Sequence, residues 1–159
     1  MAYSTLFYTE IKREESPAFL NGRAALYPLL SISLLCNGKQ IDCVGLVDSG
    51  AEYCVFPGKF LDTFGIDRTI TPFEESVKTP AGKAGAYFHE ATIQLASPDS
   101  DSNTPSWPIY AGFAECLDDW AKDDAGVSLA ILGQVGFFDR FRITFNWRGR
   151  HFELEDYYE

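Results

Sequence analysis

The stretch Gly45-Leu46-Val47-Asp48-Ser49-Gly50-Ala51 decides the fold, and it is answered far down the chain by Ala130-Ile131-Leu132-Gly133. An apolar strand ending in Asp-Ser-Gly sets a carboxylate at a tight turn. There Gly50 admits close backbone approach and Ser49 offers a hydroxyl. Taken alone, Asp48-Ser49-Gly50 has the composition of an ordinary turn. Its setting says more. Ile41 to Val47 reads as a strand, Cys54-Val55-Phe56 as a second short strand, and Gly58 to Phe64 as a helical turn or two. Leu129 to Gly133 reads as a buried apolar strand leading into an amphipathic helical turn over Gln134 to Phe141. The order strand, glycine, helix thus occurs twice, which predicts an approximate twofold within the subunit.

On these residues the chain resembles the retropepsin-like aspartic proteases, in particular their bacterial single-domain members. The carrying segments are Gly45 to Ala51, Val77-Lys78-Thr79-Pro80-Ala81-Gly82-Lys83, and Ile131-Leu132-Gly133-Gln134-Val135-Gly136-Phe137-Phe138-Asp139-Arg140-Phe141, in order over about residues 29 to 155. The resemblance implies a mostly β fold, a closed barrel or sandwich with one or two short helices and a flap hairpin. It implies that Asp48 is the catalytic aspartate, that the Ser49 hydroxyl reaches the turn of another subunit, and that Gly50 and Ala51 meet the substrate backbone. The hairpin from Thr79 to about Tyr87, with Pro80, Ala81, Gly82, Lys83, Ala84 and Gly85, corresponds to the flap. Its glycines suit a mobile tip. Ile131, Leu132, Gly133 and Gln134 form the second apolar-glycine motif.

A chain with one such half needs a second copy of itself, because two adjoining carboxylates share one proton to hold and activate water at a peptide bond. The expected assembly is therefore a homodimer acting on a peptide or protein substrate, with no cofactor and no metal. One departure from the family pattern stands out. Arg usually follows the apolar-apolar-Gly motif and pairs with an acid two residues beyond the catalytic Gly. Here Gln134 replaces the Arg and Glu52 holds the acid position. A Glu-Gln hydrogen bond is weaker than a bidentate ion pair. The alternative expectation is therefore a catalytically weak or inactive dimer that binds extended peptides or serves as an interaction module.

Composition is consistent with one domain spanning residues 1 to 159. Hydrophobic residues make up 46% and aromatic residues 15%, enough for a core. A formal net charge of -10 disfavours nucleic acid and anionic membrane as partners. Arg140, Arg142, Arg148 and Arg150 cluster near the end, where Glu153, Glu155 and Asp156 are expected to neutralise them. Cys36, Cys43, Cys54 and Cys116 show no Cys-x-x-Cys spacing and are expected as buried free thiols. The first ten residues lack a basic region followed by an apolar run, so neither secretion nor a membrane anchor is indicated. Together these features predict a cytoplasmic protein.

Along the chain, Ala2 to Thr9 predicts a terminal strand, Lys12 to Ser16 a polar stretch and Pro17 to Asn21 a connection. Leu29 to Leu35 and Gln40 to Val47 flank Asn37-Gly38, the pair that favours a hairpin turn matching strand twist. Phe73 to Thr79 and Tyr87 to Leu95 predict long hairpin arms. Ser97 to Pro108 predicts a loop, Ile109 to Ala114 a strand, and Cys116 to Lys122 a helical turn. Arg142 to Trp147 and His151 to Leu154 predict a closing hairpin around Arg148-Gly149-Arg150. Competing chemistry finds little support. Ser49 lacks the Gly-x-Ser-x-Gly elbow of a serine nucleophile, and His89 and His151 read as strand residues. Asp118-Asp119 and Asp123-Asp124 lack a cation-loop pattern and read as a solvated acidic loop. Phe137, Phe138, Phe141, Phe145 and Trp147 read as core.

Overall fold

The computed structural model describes residues 3–79, 82–96, 104–119 and 127–158. Two compact units divide the chain, Leu30–Phe137 and a second made of Met1–Leu29 with Phe138–Glu159.

The larger unit is a closed β structure. Its strands are β4 (Leu29–Cys36), β5 (Lys39–Val47), β6 (Val55–Pro57), β7 (Phe73–Thr79), β8 (Gly82–Leu95), β9 (Ser106–Ala114) and β10 (Leu129–Leu132). They run in the order β4-β5-β10-β6-β9-β8-β7, and a further pairing of β4 with β8 closes the ring. Closure gives β4 a partner on each side, while β7, paired with β8 alone, keeps a free edge. Period-2 burial sets the inside. Leu30, Ile32, Leu34 and Cys36 of β4 face in, as do Cys43 and Val47 of β5, Ile93 of β8, Phe113 of β9 and Leu132 of β10. One short helix, α1 (Phe60–Phe64), buries Phe60, Leu61 and Phe64.

The Asn37-Gly38 turn forms as expected, both residues having positive φ (51° and 72°), as a two-residue turn matching strand twist requires. Strand β9 starts earlier than expected, so Ser106 to Pro108 belong to it; residues 97–103 of the expected loop lie outside the described residues. Glu115–Leu117 forms a single 3-10 turn, and Trp120 to Lys122 with Asp123-Asp124 lie outside the described residues.

The helix expected over Gln134 to Phe141 is absent. Residues 134–140 form turns instead. The N–H groups of Gln134 and Val135 are taken by the carbonyls of Ala51 and Glu52, and Gly136 has a φ of +100°, outside helical space.

The smaller unit holds β1 (Tyr3–Phe7), β2 (Thr9–Lys12), β3 (Ala24–Tyr27), β11 (Phe141–Asn146) and β12 (His151–Asp156). β1, β12 and β11 make one antiparallel sheet, and β2 with β3 a separate two-stranded ribbon. The expected single terminal strand is thus two, and the partner β3 was not anticipated. The closing hairpin forms in the register Arg142↔Glu155, Thr144↔Glu153. Arg140 pairs with the buried Asp156 and Arg142 lies 3.8 Å from Glu155, as charge balance predicted, but Arg150 pairs with Glu10 instead and Arg148 makes no ion pair among the described residues. Phe137 and Phe141 are buried, but Phe145 and Trp147 are exposed, so the expected aromatic core is smaller than the sequence implied. All four cysteines are free; three are buried, whereas Cys116 is exposed, contrary to expectation. Burial, aided by Asp42, pushes the Cys43 thiol up to about 12, which keeps it protonated and inert. Among the described residues no helix is long and apolar enough to cross a membrane.

Candidate active site

β5 and β10 lie side by side and parallel, with Leu132 opposite Val47 and Ile131 opposite Leu46. Asp48 stands one residue past β5 and is half-buried. Its N–H donates to Leu132 O at 3.0 Å, carrying the ladder one step beyond the strand. The chain then turns back, with the Ala51 N–H donating to Asp48 O at 3.2 Å. Within that turn the Gly50 N–H donates to Asp48 Oδ1 at 2.8 Å. A charge-assisted bond of this kind fixes the carboxylate's orientation while leaving acceptor capacity on its other oxygen. Ser49 and Gly50 are exposed beside it.

The turn is laced to the second motif. Gln134 N–H donates to Ala51 O at 2.8 Å, Val135 N–H to Glu52 O at 3.0 Å, and Cys54 N–H to Val135 O at 3.3 Å. Gly133 sits so close that a Cβ there would lie 2.3 Å from Tyr53 O and 2.8 Å from Ala51 O. Both are backbone atoms that cannot swing aside, so only glycine fits. The pairing of Asp48-Ser49-Gly50 with Leu132-Gly133 that the sequence suggests is therefore a physical contact, made by backbone.

The expected Glu52–Gln134 hydrogen bond does not form. Gln134 Nε2 donates instead to Ser49 O at 2.9 Å. Glu52 accepts from Lys78 Nζ of β7 at 3.1 Å. An ammonium is a stronger partner for a carboxylate than an amide, and the amide finds a neutral carbonyl. A second tie joins the same loop to the β7–β8 hairpin: the Tyr53 hydroxyl and Ser76 Oγ share a hydrogen bond at 2.7 Å, and the Tyr53 ring packs 5.1 Å from that of Phe88. Burial pushes the Tyr53 phenol up, the Ser76 bond partly opposing it. Neither Ser76 nor Lys78 is among the site residues that the sequence predicts, although Lys78 lies in one of the segments that carry the resemblance. Their partners lie 23 and 26 residues away, and only the folded hairpin brings them together.

The arms of the hairpin extend farther than the sequence suggests. Thr79 pairs with Gly82, and Thr79 Oγ1 donates to Gly82 O at 2.8 Å. Pro80 and Ala81 lie outside the described residues. Lys83, Ala84 and Gly85 are already within β8. A Cβ on Gly85 would lie 1.9 Å from Phe73 Cζ, so this glycine makes room for an aromatic ring and does not supply a mobile tip.

The alternative nucleophile–base pair is not assembled. The Nδ1 of His89 lies 2.8 Å from Glu90 O and 3.6 Å from Cys36 Sγ, while His151 contacts Gly149 O and lies 3.5 Å from Glu153. Neither imidazole bonds Ser49. Among the described residues no cluster of three or more His, Cys, Asp or Glu side chains could hold a metal ion.

No family model matches this chain, and no curated protein matches it. Among solved structures, a retropepsin-like aspartic protease from Rickettsia conorii is similar with a TM-score of 0.48 and 15% identity, over 97% of this chain and 99% of that chain. At that score and identity the likeness transfers no site residue to this chain.

Proposed function

We propose that the chain is an aspartic endopeptidase of the retropepsin-like kind, active as a homodimer in which each copy contributes one Asp48. The supporting observation is the seating of that carboxylate. It sits half-buried at the end of β5, oriented by the Gly50 N–H and flanked by a second apolar strand whose next residue is Gly133. One chain thus offers one oriented acid and no second acid from the paired limb.

In the dimer the two Asp48 side chains lie in hydrogen-bond contact across the twofold. Like charges that close cannot both ionise, so the pair retains one proton. The ionised member takes a proton from a bound water as its oxygen attacks the peptide carbonyl carbon. The protonated member donates to the carbonyl oxygen, giving a neutral tetrahedral diol. The carboxyl that took the water's proton then passes it to the peptide nitrogen, the other carboxylate takes a proton from a diol hydroxyl, and the C–N bond breaks as the amine leaves. Ser49 and Gly50 meet the neighbouring subunit and the substrate backbone. The β7–β8 hairpin closes over an extended peptide as the flap, from Thr79 through Pro80 and Ala81 to Gly82. Four free cysteines suit a reducing compartment, and we place the protein in the cytoplasm on that ground.

The test is Asp48→Asn, assayed on a denatured protein across acid to neutral pH with the oligomeric state followed in parallel. Hydrolysis falls by roughly 10³-fold or more, within the range lost with general acid–base groups, while the dimer persists. An unchanged rate would sink the reading. A second reading rests on Gln134, which binds the Ser49 carbonyl and leaves Glu52 to Lys78. On this reading the dimer binds extended peptides without turnover, and the parent and Asp48→Asn bind them equally with no product.

A further inference from the structure

The β2–β3 ribbon presents one face on which Glu10 stands opposite Leu26 and Lys12 opposite Ala24. Together with the turn between β11 and β12 this face bounds a cleft of about 690 Å³, a size typical of small-molecule sites. Its wall on the turn side is Trp147, Arg148 and Arg150, and Gly22 and Arg23 complete the lining. The two sides are tied: Tyr8 N–H donates to Arg150 O at 3.1 Å, and the Arg150 guanidinium pairs with Glu10.

The charge of this cleft runs against that of the molecule. The whole chain has 13 Lys and Arg against 23 Asp and Glu. The charged residues of the cleft are four cations (Lys12, Arg23, Arg148, Arg150) and one acid. That acid, Glu10, is already engaged by Arg150. Lys12, Arg23 and Arg148 make no ion pair among the described residues. Three unneutralised cations around one small space repel each other, and an anion entering the cleft relieves that repulsion. Trp147, 54% exposed and braced edge-on by Tyr8 at 6.0 Å, adds a flat apolar surface at the rim.

We propose that this cleft binds a compact polyanion, with two or more phosphate or carboxylate charges carried on a molecule whose planar ring packs on Trp147. A long polyanion fits less well. Its charges would extend past the cleft into the field of a chain with a net charge of -10, whereas a small anion keeps its charge inside the cationic space. None of the residues lining the cleft belongs to the Asp48 turn or the second apolar-glycine motif, and the proposal does not depend on the protease reading.

The experiment titrates the full-length protein with adenosine diphosphate, tripolyphosphate and citrate at low and moderate salt, read by calorimetry and tryptophan fluorescence. Saturable one-to-one binding that weakens with salt is expected. Arg148→Gln and Arg23→Gln each raise Kd about tenfold or more, as loss of a charge-assisted contact does. Trp147→Leu weakens adenosine diphosphate but leaves tripolyphosphate unchanged. Arg142→Gln, a change in a cation of β11 paired with Glu155, leaves all three unchanged. Four results overturn the proposal: no saturable binding of any probe at millimolar concentration; equal losses in Arg142→Gln; a single-stranded RNA or acidic peptide that binds in an Arg148-dependent way when none of the small anions does; or cleft variants that change only the oligomeric state.

Discussion

Strands β5 and β10 are near-copies at the level of pattern and opposites at their ends. β10 and the last four residues of β5 are apolar, they pair in parallel from Leu129↔Val44 to Leu132↔Val47, and each leads into a glycine-containing bend. Past that shared register, β5 emits Asp48, half-buried, with a turn that hydrogen-bonds its own carboxylate. β10 emits Gly133, buried and pressed against the backbone of Ala51 and Tyr53. Following the ladder one step, Gly133 is the residue that corresponds to Asp48. The two strands share an apolar pairing without sharing the chemistry at their ends. One limb supplies the acid, and the other is a floor so close that it carries no side chain.

The largest expected effect divides the two limbs directly. Gly133→Ala forces a Cβ against fixed backbone atoms, and overpacking of that kind costs about 3 kcal/mol or more, read as a lower midpoint in urea. Gly50→Ala meets only Asp48 Oδ1, at 3.2 Å, and its stability change stays within about 1 kcal/mol. On the proposed function, Gly50→Ala lowers peptide hydrolysis by crowding the carboxylate. Equal destabilisation by the two would erase the distinction between a chemical limb and a structural one.

This distinction is half legible in the sequence. Apolar alternation, Asn37-Gly38 and the two apolar-glycine motifs are local signals, and each fixes an element the structure contains. The contacts that decide side-chain partners are not local. Gly85 looks like a hinge because a strand glycine and a turn glycine are the same letter; only the position of Phe73 shows that it is a cavity for a ring. Gln134 to Phe141 has helical periodicity, yet Gly136, at a φ of +100°, takes the backbone out of helical space. The sequence points Glu52 toward Gln134, because Lys78 reaches it only once β7 is in place. β3 leaves no local signal, since Ala24 to Tyr27 is too short to show a period.

A smaller pair of effects probes how the acidic limb is braced. Gln134→Ala removes the amide bond to Ser49 O, and because the freed carbonyl is exposed to water the loss is about 0.5 kcal/mol. Lys78→Met frees Glu52; with side chains 76% and 58% exposed, that pair contributes roughly 0.2–1 kcal/mol at most. Amide hydrogen exchange separates the two. Gln134→Ala speeds exchange in the turn after β5 alone, while Lys78→Met also speeds it in β7. Faster exchange in β10 in either variant would show that the limbs are not braced independently.

The smallest effect is a change of slope with pH, and it concerns the strand that carries the acid. On β5, Asp42 accepts from Ser33 Oγ at 2.6 Å and from Gln40 Nε2 at 2.9 Å, and these bonds, Ser33's foremost, hold its carboxyl below the usual range. An unfolded aspartate titrates near about 3.9. Through that region the unfolded chain binds more protons than the native one, so the contribution is present above the unfolded value and is lost as pH falls through the lower folded value. Asp42→Asn therefore flattens the acid limb of the stability–pH curve in urea titrations below about pH 4, leaving the neutral limb parallel to the parent's. β10 has no acidic residue among Leu129–Leu132, so substitutions there leave the slope unchanged. If the acid limb keeps its slope in Asp42→Asn, the pH sensitivity of β5 does not come from this carboxylate, and the contrast between the two strands narrows to their ends.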